Sequence, residues 1–141
     1  MNIENHVCSL EYSKKLLELG VNIGSRFVYQ NSVAINGEEK YIISLPYISL
    51  FEEAELNQTK VYPTFLASEL MQMLPLINGA CMEIRKGFTL SDGIVFGTKY
   101  GYSANVGFGF IDKNPCNSLA KMLIYLIENK LVKVEDINSG M

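Results

Sequence analysis

Hydrophobic and polar positions follow a helical period in some segments of the chain and alternate in others. Residues 9–19 have the helical period, begin at Ser9, which can cap a helix, and end before Gly20. Residues 65–74 have it too, with Thr64 as the candidate cap and Pro75 directly after the segment. Both segments are predicted to be helices.

A third helix is predicted near the C-terminus, where the apolar stripe is longest. Its cap is expected at Asn117 or Ser118, and Asn129 is expected to take the left-handed conformation that ends the helix. The spacing i, i+3, i+4, i+7, i+8 is typical of a helix with one face against a core. The residues of this stripe are Leu119, Met122, Leu123, Leu126 and Ile127.

Segments rich in β-branched and aromatic residues predict strands between the helices. Residues 26–35 and 38–45 are joined by Asn36-Gly37, which favours a two-residue hairpin turn. A meander is predicted over residues 82–90, 94–101 and 105–112. The order helix, hairpin, helix, meander, helix is typical of an α+β fold. We therefore predict a single α+β domain over residues 1–141, an antiparallel sheet of about five strands with about three helices packed on it.

Composition and charge limit the partners. Of the 141 residues, 48% are hydrophobic and 19% are charged, which is a globular balance. The net charge is −3, and Arg26 and Arg85 are the arginines, so the sequence lacks the clustered cations that bind nucleic acid or an anionic membrane. We expect neither of these partners.

Cysteine usage and the N-terminal residues indicate a cytoplasmic protein. Cys8, Cys81 and Cys116 are odd in number and far apart, which favours free thiols in a reducing compartment. The first residues lack the basic start and the apolar run of a secretory signal. The longest apolar run in the sequence is too short to span a bilayer.

The residue types that catalysis requires are scarce in this sequence. His6 is the single histidine, and a Ser-His-Asp or Cys-His site would have to use it, with Cys8 as the nearest thiol. Histidines and cysteines do not cluster as metal ligands do, and the glycines do not form a phosphate or dinucleotide loop. We expect no catalytic residue, metal or cofactor. Catalysis is left open but is not favoured.

The last two strands of the meander contain the candidate binding site. Bulky residues alternate there with glycines, so one face of the sheet is bulky and the other is nearly bare. Three interpretations stay open: aromatic core packing opposite close-packed glycines, a small-ligand site on the glycine-bare strands, and stacking of RNA bases. The candidate ligand-binding residues are Phe96, Tyr100, Gly107, Phe108, Gly109 and Phe110.

The RNA interpretation depends on a short motif. Residues 107–111, Gly-Phe-Gly-Phe-Ile, resemble the first ribonucleoprotein motif of RNA-recognition domains, with Phe108 and Phe110 as the stacking residues. Val106 stands where that motif has a basic residue. That fold also requires a final strand, for which residues 131–137 are the candidate.

Three further segments carry a family pattern. They are Val7-Cys8-Ser9-Leu10-Glu11 with Lys14-Lys15-Leu16 and Glu18-Leu19-Gly20-Val21, then Phe65 with Glu69-Leu70 and Met73-Leu74-Pro75, and finally residues 120–131 with the run Lys-Met-Leu-Ile-Tyr-Leu. Together they resemble small phage and prophage proteins of unknown function. The resemblance implies a phage or prophage origin, and it assigns no catalytic residue because the shared residues are mostly caps and core stripes.

These observations favour a phage or prophage accessory protein that acts by binding a host or phage protein, without catalysis. A homodimer is a further expectation, since the aromatic face can exceed what the helices cover. One alternative is a protein or enzyme that binds or sequesters a small ligand on the glycine-bare strands. The other is an RNA-binding module that uses Phe108 and Phe110.

Overall fold

The structure is a computed structural model that describes residues 3–33, 39–46, 50, 60–74, 81–89, 93–103 and 106–139. The predicted turn at residues 36–37, and residues 90–92 and 105 of the predicted meander, lie outside these ranges. The helices are α1 (Leu10–Glu18), α2 (Ala67–Met73), α3 (Pro115–Glu128) and α4 (Val134–Asn138). The strands are β1 (Phe27–Val33), β2 (Glu39–Ser44), β3 (Val61–Thr64), β4 (Cys81–Thr89), β5 (Gly93–Ser103) and β6 (Val106–Asp112).

The strands in the described ranges form two antiparallel sheets. In the first sheet β1 lies between β2 and β3, and in the second β5 lies between β4 and β6. The α+β class is confirmed, whereas the prediction of one sheet with about five strands is not supported. Strand β3 pairs with the side of β1 that β2 does not occupy. The predicted hairpin therefore belongs to a three-stranded sheet that is separate from the meander.

The sequence pattern did not mark β3, which has four residues and contains Pro63. Thr64, predicted as a helix cap, is instead the last residue of β3 and pairs with Phe27. Helix α2 has Leu66 as its N-cap residue. A carboxylate oxygen of Glu69 accepts the backbone N–H of Leu66 at 2.9 Å, so a glutamate one turn into the helix satisfies this donor.

Helix α1 ends as predicted, at Gly20. This glycine has φ of +97° and donates its N–H to the carbonyl of Leu17 at 3.0 Å. The following N–H, of Val21, donates to the carbonyl of Leu16 at 3.0 Å. The two bonds form a Schellman motif, whose left-handed position suits glycine. At the other end Ser9 is the N-cap residue, but its hydroxyl makes no capping bond, so that part of the prediction is wrong.

Helix α3 begins earlier than predicted. The N-cap is Asn114, whose side-chain oxygen accepts the N–H of Cys116 at 2.8 Å. Pro115 occupies the first turn, where a missing N–H costs nothing. The predicted caps Asn117 and Ser118 lie inside the helix, so that prediction is wrong.

The C-terminal end of α3 also differs from the prediction. Lys130 has φ of +60°, while Asn129 has φ of −94°, so the left-handed residue is one position later than expected. Lys130 donates to the carbonyl of Ile127 at 3.1 Å, and Leu131 donates to that of Leu126 at 2.9 Å. This is a second Schellman motif, with a lysine in the position that glycine favours.

The candidate final strand over residues 131–137 is not formed, because Val134–Asn138 is the short helix α4. Ile137 anchors this helix in the core with 2% of its surface exposed. The side chain of Asn138 donates to the carbonyl of Gly20 at 2.9 Å and accepts the N–H of Asn22 at 2.7 Å. These contacts seat α4 against the end of α1.

The core joins the helices of both ends of the chain. Most of the α3 stripe is fully buried, and Ile127 packs against it as a partly buried residue. None of the helices formed by the described residues is long and apolar enough to cross a bilayer. The buried core residues are Cys8, Leu16, Val21, Phe65, Leu70, Met73, Leu74, Cys116, Leu119, Ala120, Met122, Leu123, Leu126 and Ile137.

Candidate binding surfaces

The backbone register of the second sheet assigns the candidate ligand-binding residues to its two faces. Residues that pair directly in an antiparallel ladder lie on the same face, and neighbours along a strand alternate. Tyr100 pairs with Phe108, and Gly101 pairs with Gly107. By this register Phe96, Tyr100, Phe108 and Phe110 occupy positions on one face, and Gly97, Gly101, Gly107 and Gly109 occupy positions on the other.

Helix α3 covers the aromatic face of the second sheet. The ring centre of Phe110 lies 5.5 Å from that of Tyr125 in α3. Asp112, two residues further on the same face, forms an ion pair with Lys121 of α3. The structure therefore brings four of the six predicted residues to the helix-covered face and leaves Gly107 and Gly109 on the opposite one. Ligand binding by this set stays a prediction.

The contacts of Phe110 bear on the RNA interpretation. Its ring is half-buried and packs against the core as well as against Tyr125. Base stacking requires an open aromatic face, which RNA-recognition domains present on the side of the sheet away from their helices. The contacts of Phe110 therefore favour the interpretation in which this aromatic residue serves core packing.

Two of the thiols lie inside the fold. Sγ of Cys116 is 3.1 Å from the carbonyl oxygen of His6, and Sγ of Cys8 is 3.7 Å from the carbonyl oxygen of Phe65. Burial raises the pKa of Cys8 to about 12 and the pKa of Cys116 to about 11. A thiol must ionise to act as a nucleophile, so both of these are inert at neutral pH.

The imidazole of His6 is exposed, and the backbone carbonyl of this residue is what contacts Cys116. In the part of the chain that the structure describes, no three histidine, cysteine, aspartate or glutamate residues are grouped closely enough to hold a metal ion.

Asp112 and Lys121 form a partly buried ion pair, with 2.8 Å between Oδ2 and Nζ. Burial by itself would raise the pKa of Asp112, but hydrogen bonds from Lys121 and from the N–H of Asn114 outweigh it and lower the pKa. Nζ of Lys121 also lies 5.7 Å from the ring centre of Tyr12 in α1. The pair therefore connects β6, α3 and α1, which is a structural role.

The segment before α1 is held by side chains from the start of α3. The side-chain amide of Asn114 donates to the carbonyl of Val7 at 2.9 Å. The side-chain oxygen of Asn117 accepts the N–H of Ser9 at 2.8 Å. Val7 is fully buried and forms a bridge to Leu66. Val7 and Cys8 of this segment are therefore part of the core, whereas residues 4–6 are exposed.

Among the strands that the structure describes, β2 lies at one edge of the first sheet, and apolar side chains on and next to it are exposed. Ile42 is 41% exposed, and Leu45, directly after the strand, is 61% exposed. The pairing of β2 with β1 is continuous over six residue pairs without a bulge. The other edge strand, β3, is shorter and contains Pro63, which cannot donate a ladder hydrogen bond. Of the two outer strands in the described part of this sheet, β2 is therefore the one without a proline.

The face of the first sheet that bears Tyr41 is covered by α1. Nζ of Lys14 lies 5.1 Å from the ring centre of Tyr41 and 5.4 Å from that of Tyr62. Ile42 alternates with Tyr41 and lies on the opposite face. The hydrophobic pattern did not mark β2 as an exposed surface. The signal for it is the run of apolar residues at positions 41–43. Successive residues of a strand lie on opposite faces, so this run places apolar residues on both faces of β2.

In comparisons with protein-family models, curated proteins and solved structures, no match to this chain was found, so function is inferred from its residues and their geometry.

Proposed function

We propose that this chain is a phage or prophage accessory protein that acts by binding a protein partner, and that it does so without catalysis. The observation that carries the proposal is the exposure of Ile42 and Leu45 along the edge strand β2. The phage or prophage origin has its support in the sequence resemblance alone.

An edge strand is suited to a protein partner for a chemical reason. Its outer side presents backbone donors and acceptors at the spacing of an extended polypeptide, and an added strand satisfies them in turn. Apolar side chains beside the edge add burial of about 25 cal/mol per Å². Natural edges are usually protected by proline, a bulge or charges. In β2, Glu39 and Lys40 stand at the start of the strand, and the end from Ile42 onward has no charged residue.

The state of the reactive groups supports binding over catalysis. Cys8 and Cys116 are buried, and their raised pKa values keep them protonated. Asp112 and Lys121 form an ion pair that connects β6 with α3, and Lys121 also contacts Tyr12 of α1. These candidate groups for acid, base or nucleophilic chemistry are therefore committed to the fold.

The test is affinity capture from nuclease-treated bacterial lysate with three forms of the chain. One is the wild type, one is the double variant Ile42→Lys/Leu45→Lys, and one is Leu131→Lys. Leu131 is the matched control because it is 52% exposed and follows α3, outside the strands of the first sheet. We expect a stoichiometric protein with the wild type and the control, and its loss with the double variant. Equal capture by all three, or by none, would contradict the proposal.

A second candidate function has one observation in its favour. The register clusters Gly97, Gly101, Gly107 and Gly109 on the face of the second sheet opposite α3. Lys99 and Ile111 occupy positions on the same face, but Gly101 and Gly107 pair directly, and a glycine pair allows a ligand to approach the backbone closely. If a small ligand binds there, Gly107→Val or Gly109→Val abolishes ligand binding while the chain still folds. Unfolding of these variants would instead assign the glycines to packing.

The RNA-binding alternative has a direct test of its own. Phe108→Ala should weaken RNA affinity at low salt if Phe108 stacks on a base, by about 1–3 kcal/mol. Unchanged affinity in this variant, or no affinity in the wild type, would exclude the alternative.

A further inference from the structure

We infer that residues 3–9, the segment before α1, occupy a peptide-binding groove, and that an extended peptide of a partner protein binds there in their place. These residues are called the docked segment below. The groove uses no residue of β2, so this inference and the proposed function can fail independently of each other. The residues that hold the docked segment include Tyr29, Thr64, Phe65, Leu66, Asn114 and Asn117.

One side of the docked segment pairs like an added strand. Val7 forms an antiparallel bridge with Leu66, and the N–H of Cys8 donates to the carbonyl of Phe65 at 3.2 Å. Phe65 and Leu66 come directly after β3. Main-chain pairing of this kind is how an extended peptide adds to a sheet, because the bonds require no particular side chain.

Two asparagine side chains of α3 bind the backbone of the docked segment. The amide of Asn114 donates to the carbonyl of Val7 at 2.9 Å, and the side-chain oxygen of Asn117 accepts the N–H of Ser9 at 2.8 Å. The two bonds go to backbone groups two residues apart, one an acceptor and the other a donor. A side-chain amide can bond with either kind of group, so this pair recognises an extended backbone and not its sequence.

The chemistry of the occupant follows from the two side chains that the groove buries. Val7 and Cys8 are fully buried, whereas residues 4–6 are exposed. The carbonyl of Cys8 accepts the hydroxyls of Tyr29 and Thr64, which again are bonds to the backbone. A buried charge without a partner is unfavourable. A peptide that binds here is therefore extended and has two small, uncharged residues in succession.

Ser9, where the docked segment meets α1, favours opening of the groove. Its hydroxyl is buried without a hydrogen-bond partner, and it makes no capping bond although Ser9 is the N-cap residue of α1. A buried hydroxyl without a partner costs free energy, which a bond to water or to the first turn of the helix recovers. The N–H of Ser9 holds the segment in the groove, while its hydroxyl is relieved when the segment leaves.

A partner peptide competes with the docked segment. Its apparent affinity is the intrinsic affinity of the groove, reduced by the fraction of molecules in which the groove is open. A substitution that weakens the docked segment therefore tightens the binding of an external peptide. A segment with a structural role alone gives no such gain of affinity.

Fluorescence anisotropy with a labelled synthetic peptide of residues 3–9 tests the inference on the full-length chain, as wild type and as Val7→Ala. The matched control peptide carries Val7→Asp. Circular dichroism establishes that both forms of the chain are folded. Amide hydrogen exchange, measured by NMR in the wild type and in Ser9→Ala, compares residues 7 and 8 with the amides of α3.

We expect Val7→Ala to bind the peptide at least about tenfold more tightly than the wild type, and the Val7→Asp peptide to bind neither form. Residues 7 and 8 should exchange at least about tenfold faster than the interior of α3, and more slowly in Ser9→Ala than in the wild type. No gain of affinity in a folded Val7→Ala, equal binding of both peptides, or exchange of residues 7 and 8 only together with α3 would overturn the inference. The exchange comparison decides the matter if Val7→Ala does not fold.

Discussion

The hydroxyl of Tyr29 in β1 donates a hydrogen bond of 2.8 Å to the carbonyl oxygen of Cys8 in the segment before α1. Thr64 at the end of β3 donates to the same carbonyl at 3.0 Å. Both hydroxyls are thus directed from the first sheet at one buried acceptor, and burial raises the pKa of Tyr29 to about 12. The first sheet and the helical core are joined at this point, so the position of β2 relative to the core depends on it.

Removing both hydroxyl donors should lower the free energy of unfolding by more than the sum of the two single losses. Tyr29→Phe or Thr64→Val alone leaves one donor to the Cys8 carbonyl and should cost about 1 kcal/mol in the free energy of unfolding. The double variant leaves a buried carbonyl unpaired and should cost more than the sum, by about 1 kcal/mol. Urea denaturation measures each value. Additive losses would show that the two hydroxyls do not share the acceptor.

Tyr62→Phe is the control for this pair of variants. Its ring contacts Lys14, but no hydrogen bond of its hydroxyl occurs among the described residues. The loss of unfolding free energy should stay within about 0.5 kcal/mol.

The two helix N-termini should respond in opposite ways to alanine. The Ser9 hydroxyl is buried without a hydrogen-bond partner, so Ser9→Ala should leave the unfolding free energy unchanged or raise it. Asn114→Ala removes the cap of α3 and the donor to Val7, and it should cost about 1–2 kcal/mol. Thermal or urea unfolding measures both. A loss of about 1 kcal/mol for Ser9→Ala would show that this hydroxyl caps α1 after all.

The end of α3 offers a stabilising substitution. Lys130 is in the left-handed conformation at φ +60°, which costs a lysine more than a glycine, so Lys130→Gly should stabilise by about 0.5–1 kcal/mol. Asn129→Gly is the matched control, because Asn129 has negative φ and donates to the carbonyl of Tyr125 at 2.9 Å. It should destabilise. If Asn129→Gly stabilised the fold and Lys130→Gly destabilised it, the left-handed residue would be Asn129.

Alkaline pH should destabilise the fold through the buried thiols. An unfolded cysteine ionises near pH 9.0, whereas Cys116 and Cys8 in the folded chain stay protonated up to about pH 11 and 12. The unfolded state therefore binds fewer protons above pH 9.0, and stability falls as pH rises, by at most about 1.4 kcal/mol per pH unit for each thiol. Below that pH the two thiols should add no pH dependence.

Urea denaturation at pH 8 and pH 10 measures this effect. The slope between the two pH values should be smaller in Cys116→Ala than in the wild type, and smaller again in Cys8→Ala/Cys116→Ala. The same slope in all three forms would contradict the burial of these thiols.

Much of the fold follows from local signals in the sequence. The stripe of α3, the glycine that ends α1 and the strands of the meander are each encoded by spacing or by one residue with a special conformation. The features that were missed depend on tertiary contacts. Strand β3 has too few residues to show a period, and it is defined by its pairing with β1. Thr64 has the chemistry of a cap, but tertiary pairing directs its hydroxyl to Cys8.

The candidate site was predicted less completely, for a similar reason. Alternation along β5 and β6 separates aromatic from glycine positions, and the register agrees with that separation. Which face a helix covers is decided by long-range packing, here the contact of Phe110 with Tyr125. Likewise the exposure of Ile42 depends on which elements pack against its face of the first sheet, which is a property of the fold and not of the strand.

Photo-crosslinking from position 42 in bacterial cells tests the central claim, binding through the β2 edge, most directly. A photoreactive phenylalanine replaces Ile42 in one form and Leu131 in the other, two exposed apolar positions at separate places in the fold. We predict discrete species from position 42 in which the chain is crosslinked to a partner protein, and no such species from position 131. No crosslinked species from position 42, or the same species from both positions, would contradict the account.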